Sequence, residues 1–318
     1  MANTAISRED FNGWNNTYRL DNGIVEARVV TDVGPRIIDV RRHGGTNLLQ
    51  LREGIGGSGE KEYMFRGGWR LWIAPERRET TYALDNSPCA VTVEGNHLRV
   101  VGPLQPEAGI RKQVDVTLLP GESRLQIVSR IKNVSDHPLT YAAWSLPVLR
   151  PGGRAFVPLD VGSLTAFDAL RRVILWSYTD IEDPRYRFGN RLIEIDHAKV
   201  TRAAVPPSGR GADESKIGSD SAQGWVAYLL DRTLLLKRFA HDSNGIYPDG
   251  GSTIEVYSNQ HFLELEHLGP LTTIQPGEEI RLPEDWWLFA DVNIPDGERE
   301  ALEALHGFLS KTSPPSPW

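Results

Sequence analysis

The chain has 318 residues, enough to bury a large core as one big β domain or as two ordinary domains. Lys and Arg number 35 against 42 Asp and Glu, and the resulting charge of −7 argues against a nucleic-acid binder, which needs a basic face. The single cysteine, Cys89, excludes an intramolecular disulfide and any cysteine-rich zinc cage. The opening stretch MANTAISREDFNGWNN lacks the apolar run of a secretory signal, and no segment approaches the ~18 apolar residues of a membrane helix. A cytoplasmic protein with no membrane partner is expected.

Thirty Gly, 21 Pro and nine Trp point to many short strands and turns rather than long helices. In residues 23–33, Val25, Ala27, Val29 and Val33 share one face of a strand. Residues 53–61, EGIGGSGEK, read as a mobile loop. Within it, Gly54 to Gly59 match G-x-G-x-x-G, but the following EKEYMFRGGW has no helical period, so no nucleotide cradle is expected. Next comes Gly67-Gly68-Trp69-Arg70-Leu71-Trp72-Ile73-Ala74-Pro75-Glu76, which no regular strand pattern claims. Val114, Val116 and Leu118, then Leu125, Ile127 and Ile131 around the turn Pro120-Gly121-Glu122, read as a hairpin. Residues 206–224 read as a second polar loop. Further short strands are expected at Trp225–Leu230, Leu234–Phe239, Ile254–Ser258 and Phe262–Glu266. One helix, about 297–310, is expected from the stripe Ala301, Leu302, Leu305, Phe308 and Leu309, with Asp296 as its N-cap. No repeat appears at a period of 20–50 residues, and neither loop resembles a linker, so residues 1–318 read as one antiparallel β domain with a C-terminal helix.

The eight histidines are scattered, and no metal site is signalled. In Phe262-Leu263-Glu264-Leu265-Glu266-His267, alternation turns Leu263 and Leu265 to the core and Glu264 and Glu266 to the other face. Two strand residues set these carboxylates about 6.6 Å apart, close enough for mutual repulsion. Partial burial would raise one pKa further and suit a base working near neutral pH. The competing reading is a solvated strand face.

That segment, with Gly269-Pro270-Leu271, Ile274-Gln275-Pro276-Gly277-Glu278-Glu279 and Trp286 to Phe289 after it, resembles the end of galactose mutarotases (aldose 1-epimerases). Gly34-Pro35-Arg36-Ile37-Ile38-Asp39-Val40 resembles the family's second strand. Asn133 to Leu139, leading into Trp144-Ser145-Leu146-Pro147, resembles its central turn and strand. The resemblance spans roughly residues 20–290 and implies an all-β supersandwich of large antiparallel sheets. It aligns Glu266 with the catalytic base, leaves Glu264 as the neighbour that raises its pKa, and gives Arg70 the sugar-binding arginine's role. Where the family carries an acidic histidine, this chain has Trp144.

The chemistry implied is mutarotation of a small sugar or sugar derivative without cofactor or metal: a base takes the anomeric proton while an acid protonates the ring oxygen. His241 and Tyr247, in the loop-like HDSNGIYPDGG, and His267 are candidates for the acid. Trp72 and Trp144 are candidate sugar platforms, with Glu76 beside Trp72; Trp69 reads as core. Arg36, after a Gly-Pro corner, is a candidate for a hydroxyl or carboxylate. Two alternatives stand beside an isomerase: a non-catalytic carbohydrate-binding protein, suggested by Trp144, and a relative of sugar lyases or hydrolases. The sequence sets no oligomeric state.

Overall fold

The computed structural model describes residues 4–316 apart from 53, 55, 163–166, 168–169 and 201–212. The first strands are β1 (Ala5–Phe11), β2 (Trp14–Asp21), β3 (Val25–Val30), β4 (Arg36–Arg42) and β5 (Trp69–Ala74). A short helix, α1 (Arg78–Thr81), precedes β6 (Ala90–Glu94), β7 (His97–Gln105), β8 (Ile110–Leu118), β9 (Arg124–Asn133), β10 (Leu139–Leu149) and β11 (Arg154–Pro158). Then come β12 (Val173–Leu175), β13 (Tyr186–Phe188), β14 (Leu192–Asp196), β15 (Ser215–Ser219), β16 (Trp225–Leu230) and β17 (Thr233–Phe239). The chain closes with β18 (Ile254–Asn259), β19 (Phe262–Leu268), β20 (Thr272–Ile274), β21 (Glu279–Phe289) and α2 (Glu298–Leu309).

Two large antiparallel sheets result. One runs β1-β2-β3-β4-β5-β10-β19-β18-β15-β12, with β20 also paired to β10; the other runs β13-β14-β11-β16-β17-β21-β9-β8-β7-β6. Strand alternation, with a bulge at Ile38 that lets both Ile37 and Val40 face inward, sends Val25, Ala27, Val29, Ile37 and Val40 of the first sheet against Val114, Val116, Leu125, Ile127 and Ile131 of the second. All of these are fully buried. The outer face of the second sheet is covered by α2, whose Ala301, Leu302 and Leu305 pack on Phe156, Trp225, Leu234 and Leu236. The outer face of the first sheet holds a separate aromatic cluster around Trp72 and Trp144.

The expected hairpin is β8–β9, paired from Ile110↔Asn133 to Leu118↔Leu125. Three expectations change. Residues 215–219, expected in a loop, form β15, an interior strand between β18 and β12; residues 206–212 of that stretch lie outside the described ones. The stretch 69–74 is the fully buried strand β5. At α2 the N-cap is Gly297 with no side-chain hydrogen bond; the Asp296 carboxylate instead lies 3.5 Å from Arg154. Among the described residues of 53–61 there is no strand or helix, and Gly57 and Gly59 bond to Trp14 Nε1 and the Asn86 carbonyl. No helix of the described residues is long and apolar enough to cross a membrane.

Candidate functional site

The outward side chains of β5, β10, β19, β18 and β15 build a cleft on the first sheet. In β5, Trp69, Leu71 and Ile73 enter the inter-sheet core, so Arg70 and Trp72 face out. Register lays Trp144 beside Trp72 on one side and Leu268 on the other, and Glu266 directly opposite Glu255. The entry to β5 is set by Gly67 and Gly68, with φ of +73° and +70°. A Cβ at Gly68 would stand 2.5 Å from the Ile37 carbonyl oxygen. Arg36 supports the same turn, donating from Nη1 to the Gly67 carbonyl at 2.9 Å.

Charge in the cleft is paired tightly. Arg70 Nη2 donates to Glu264 Oε1 at 2.9 Å, and its guanidinium lies 4.1 Å over the Trp72 ring. Burial opposes the charge on Arg70, but Glu264, Tyr63 and Glu266 together outweigh it and hold the guanidinium above its ordinary range. Arg70 Nε and Nη1 are buried with no hydrogen-bond partner among the described residues. Behind this pair, Glu266 Oε2 accepts from Trp144 Nε1 at 2.8 Å and from Lys216 Nζ at 3.1 Å. Lys216 also reaches Glu255 Oε2 at 2.6 Å and sits over the rings of Trp144 and Trp176, at 4.7 and 4.8 Å. Burial pushes both Glu255 and Glu266 above the usual carboxylate range, and Lys216 opposes this at each.

The cleft encloses about 250 Å³ and is lined by Arg70, Trp72, Glu76, Trp144, Lys216 and Glu264, with Tyr63, Tyr82, Tyr178 and Tyr257 around them. It continues into an outer cavity of about 940 Å³ bordered by Lys61, Glu62, Arg78 and Trp176. Tyr82 and Tyr63 meet edge-on, 5.0 Å apart, and Tyr82 donates its hydroxyl to Glu76.

Glu264, Arg70, Trp72, Glu76 and Trp144 of the expected set therefore come together. Glu266 adjoins them but has no exposed surface, so the carboxylate presented to the cleft is Glu264, at 7% exposure. Arg36 lies outside the lining, 1% exposed and spent on the Gly67 turn. His241 and Tyr247 stack on each other, 5.2 Å apart, in a different cavity of about 490 Å³ with Asp220 and Arg172. Their loop joins β17 of the second sheet to β18 of the first, which carries them away from Glu264. His267 points inward by alternation, stacks on Phe239 at 4.4 Å and is fully buried beside Lys237 and Glu284. Among the described residues, no histidine lines the cleft.

Sequence reasoning missed Lys216, Glu255 and Tyr63. Glu255 sits on an expected strand, and its pairing with Glu266 follows from a β18–β19 hairpin; that signal was present. Lys216 lies in SKIGS, whose single apolar residue gives no period. One carboxylate–histidine group among the described residues has ligand atoms within 4.8 Å of one another, Asp21, Glu26 and His43, but it lies apart on β2–β4 and is paired with Arg19 and Arg28.

The architecture is that of the galactose mutarotase-like supersandwich. A protein from Klebsiella pneumoniae subsp. pneumoniae, provisionally described as an aldose 1-epimerase, superposes with a TM-score of 0.59 at 11% identity, over 96% of this chain and 87% of that one. A galactose mutarotase-like protein from Lactobacillus casei gives 0.52 at 10% identity, over 86% and 100%. A protein from Synechocystis gives 0.55 at 13% identity, over 89% and 99%. In sequence, no family model and no curated protein matches the chain.

Proposed function

We propose that the protein binds a small sugar or sugar derivative in the Arg70–Glu264 cleft and interconverts its anomers without a cofactor. The observation that carries this reading is Arg70: two buried guanidinium nitrogens lack partners beside a carboxylate, between aromatic rings. Buried donors without partners are costly, and ligand hydroxyls would satisfy them. Trp72 would offer an apolar face for the sugar's C–H bonds. Glu264 takes the anomeric proton as the ring opens, and reclosure on either face yields both anomers. This gives Glu264 the role that the family resemblance assigns to Glu266, because Glu264 alone of the two lines the cleft.

NMR exchange spectroscopy over a panel of neutral, amino and acidic sugars is expected to find at least one whose anomers interconvert faster with the protein. Glu264→Gln is expected to slow that exchange by ~10²-fold or more, and Glu266→Gln by less. The reverse order would return the base role to Glu266. A second reading, a sugar-binding protein without catalysis, is favoured by Trp144 standing in place of a histidine. Tryptophan fluorescence that titrates with a sugar whose anomers exchange only at the uncatalysed rate would establish it.

A further inference from the structure

Among the described residues the cleft contains no histidine to protonate a ring oxygen, yet beneath it lies a group of carboxyls that outnumbers the described cations beside it. Glu264 is neutralised by Arg70. Among the described residues that leaves Lys216 as the one ammonium within reach of both Glu255 and Glu266, at 2.6 and 3.1 Å, and both carboxyls are fully buried. An uncompensated second charge in this setting would be expelled by protonation. Glu266 also accepts from Trp144 Nε1 at 2.8 Å, whereas among the described residues Glu255 has only its ion pair with Lys216, so the proton belongs on Glu255.

We propose that Glu255 is a neutral carboxylic acid held beside Lys216 and Glu266, and that its proton, relayed through Lys216, is the one the cleft delivers to a sugar's ring oxygen. This rests on the proposed sugar chemistry for its use, though not for its existence. Of the cluster, Lys216 alone lines the cleft. As Glu264 takes the anomeric proton, the electron pair of the C1–ring-oxygen bond moves to the ring oxygen, which takes a proton from Nζ. Nζ in turn takes the Glu255 proton, leaving Glu255 a carboxylate. Reclosure reverses each transfer, so no proton is gained or lost. Lys216 is the donor, and Glu255 acts through it as a positioning residue and proton store. Glu264, from β19, and Asp249, before β18, also act electrostatically on Lys216, and Glu214 lines the same cleft.

Infrared spectroscopy of the free protein reads the stored proton directly. A carboxylic-acid C=O band that shifts in D2O is expected at neutral pH, present in the wild type and in Glu264→Gln and missing in Glu255→Gln. Absence of the band in the wild type, or its survival in Glu255→Gln, overturns the proposal. Lys216→Arg tests the relay: arginine keeps the charge but does not release a proton. With a sugar identified by the exchange panel, Lys216→Arg is expected to slow exchange by ~10²-fold while leaving sugar affinity within a few-fold. Rescue by arginine would mean a purely structural role and would overturn the relay. A wild-type band with no sugar turned over would count against the sugar reading and leave the proton's placement standing. Turnover without the band would do the opposite.

Discussion

At the residue scale, the same physics that places Glu264 and Glu266 outward sends His267 inward, and burial holds its pKa well below the ordinary histidine value. The ring is therefore neutral in the folded state, beside Lys237 and Glu284. An unfolded chain takes up this proton near pH 6.5, while the folded chain refuses it until much lower pH. Below about 6.5 the unfolded state binds more protons, so stability falls as the solution is acidified; above it this group contributes no slope. Urea denaturation at pH 7.5 and pH 5 is expected to show that loss in the wild type and a smaller loss in His267→Phe, which keeps the stack on Phe239. Equal losses in the two proteins would exclude His267 as the source. The outward pair was legible because alternation alone fixes its face. Lys216 was not, because an ion pair between β15 and β19 depends on sheet order, which no local pattern encodes.

At the element scale, β5 shows why some strands escape sequence reading. Buried on both faces, it reads as a mixed run of tryptophan, arginine and aliphatics rather than as an alternation. The strands that were legible, such as those of the β8–β9 hairpin, bury one face more completely than the other and so keep period two. What positions β5 is the turn before it, where Gly68 combines a left-handed φ with contact against the Ile37 carbonyl. Gly68→Ala is expected to cost ~2 kcal/mol, read as a lower urea midpoint at unchanged slope. It should also weaken sugar binding, because Arg70 is two residues away. A variant as stable as the wild type would mean that the turn tolerates a side chain.

At the scale of the whole molecule, each sheet has an inner face in the common core and an outer face put to separate use. The aliphatic stripe of α2 was legible by its period, but not its landing place on Phe156 and Leu234, which lie far back in the chain. Leu305 has no exposed surface, and Leu305→Asp would bury an unpaired charge under the helix. A drop in melting temperature corresponding to ~3 kcal/mol or more is expected, with the cleft's own chemistry unchanged in the fraction that stays folded. An unaltered melting temperature would mean that α2 is not integral to the fold. The opposed use of the two outer faces also bears on how the molecule can be handled. A tether attached beyond α2 leaves from the side of the second sheet, so a chain fixed to a sensor surface by that end turns the Arg70–Glu264 cleft toward the solution. A tether at the other end leaves beside β1, an edge strand of the sheet that bears the cleft. Immobilised binding measurements and display on particles are accordingly better served by a C-terminal handle.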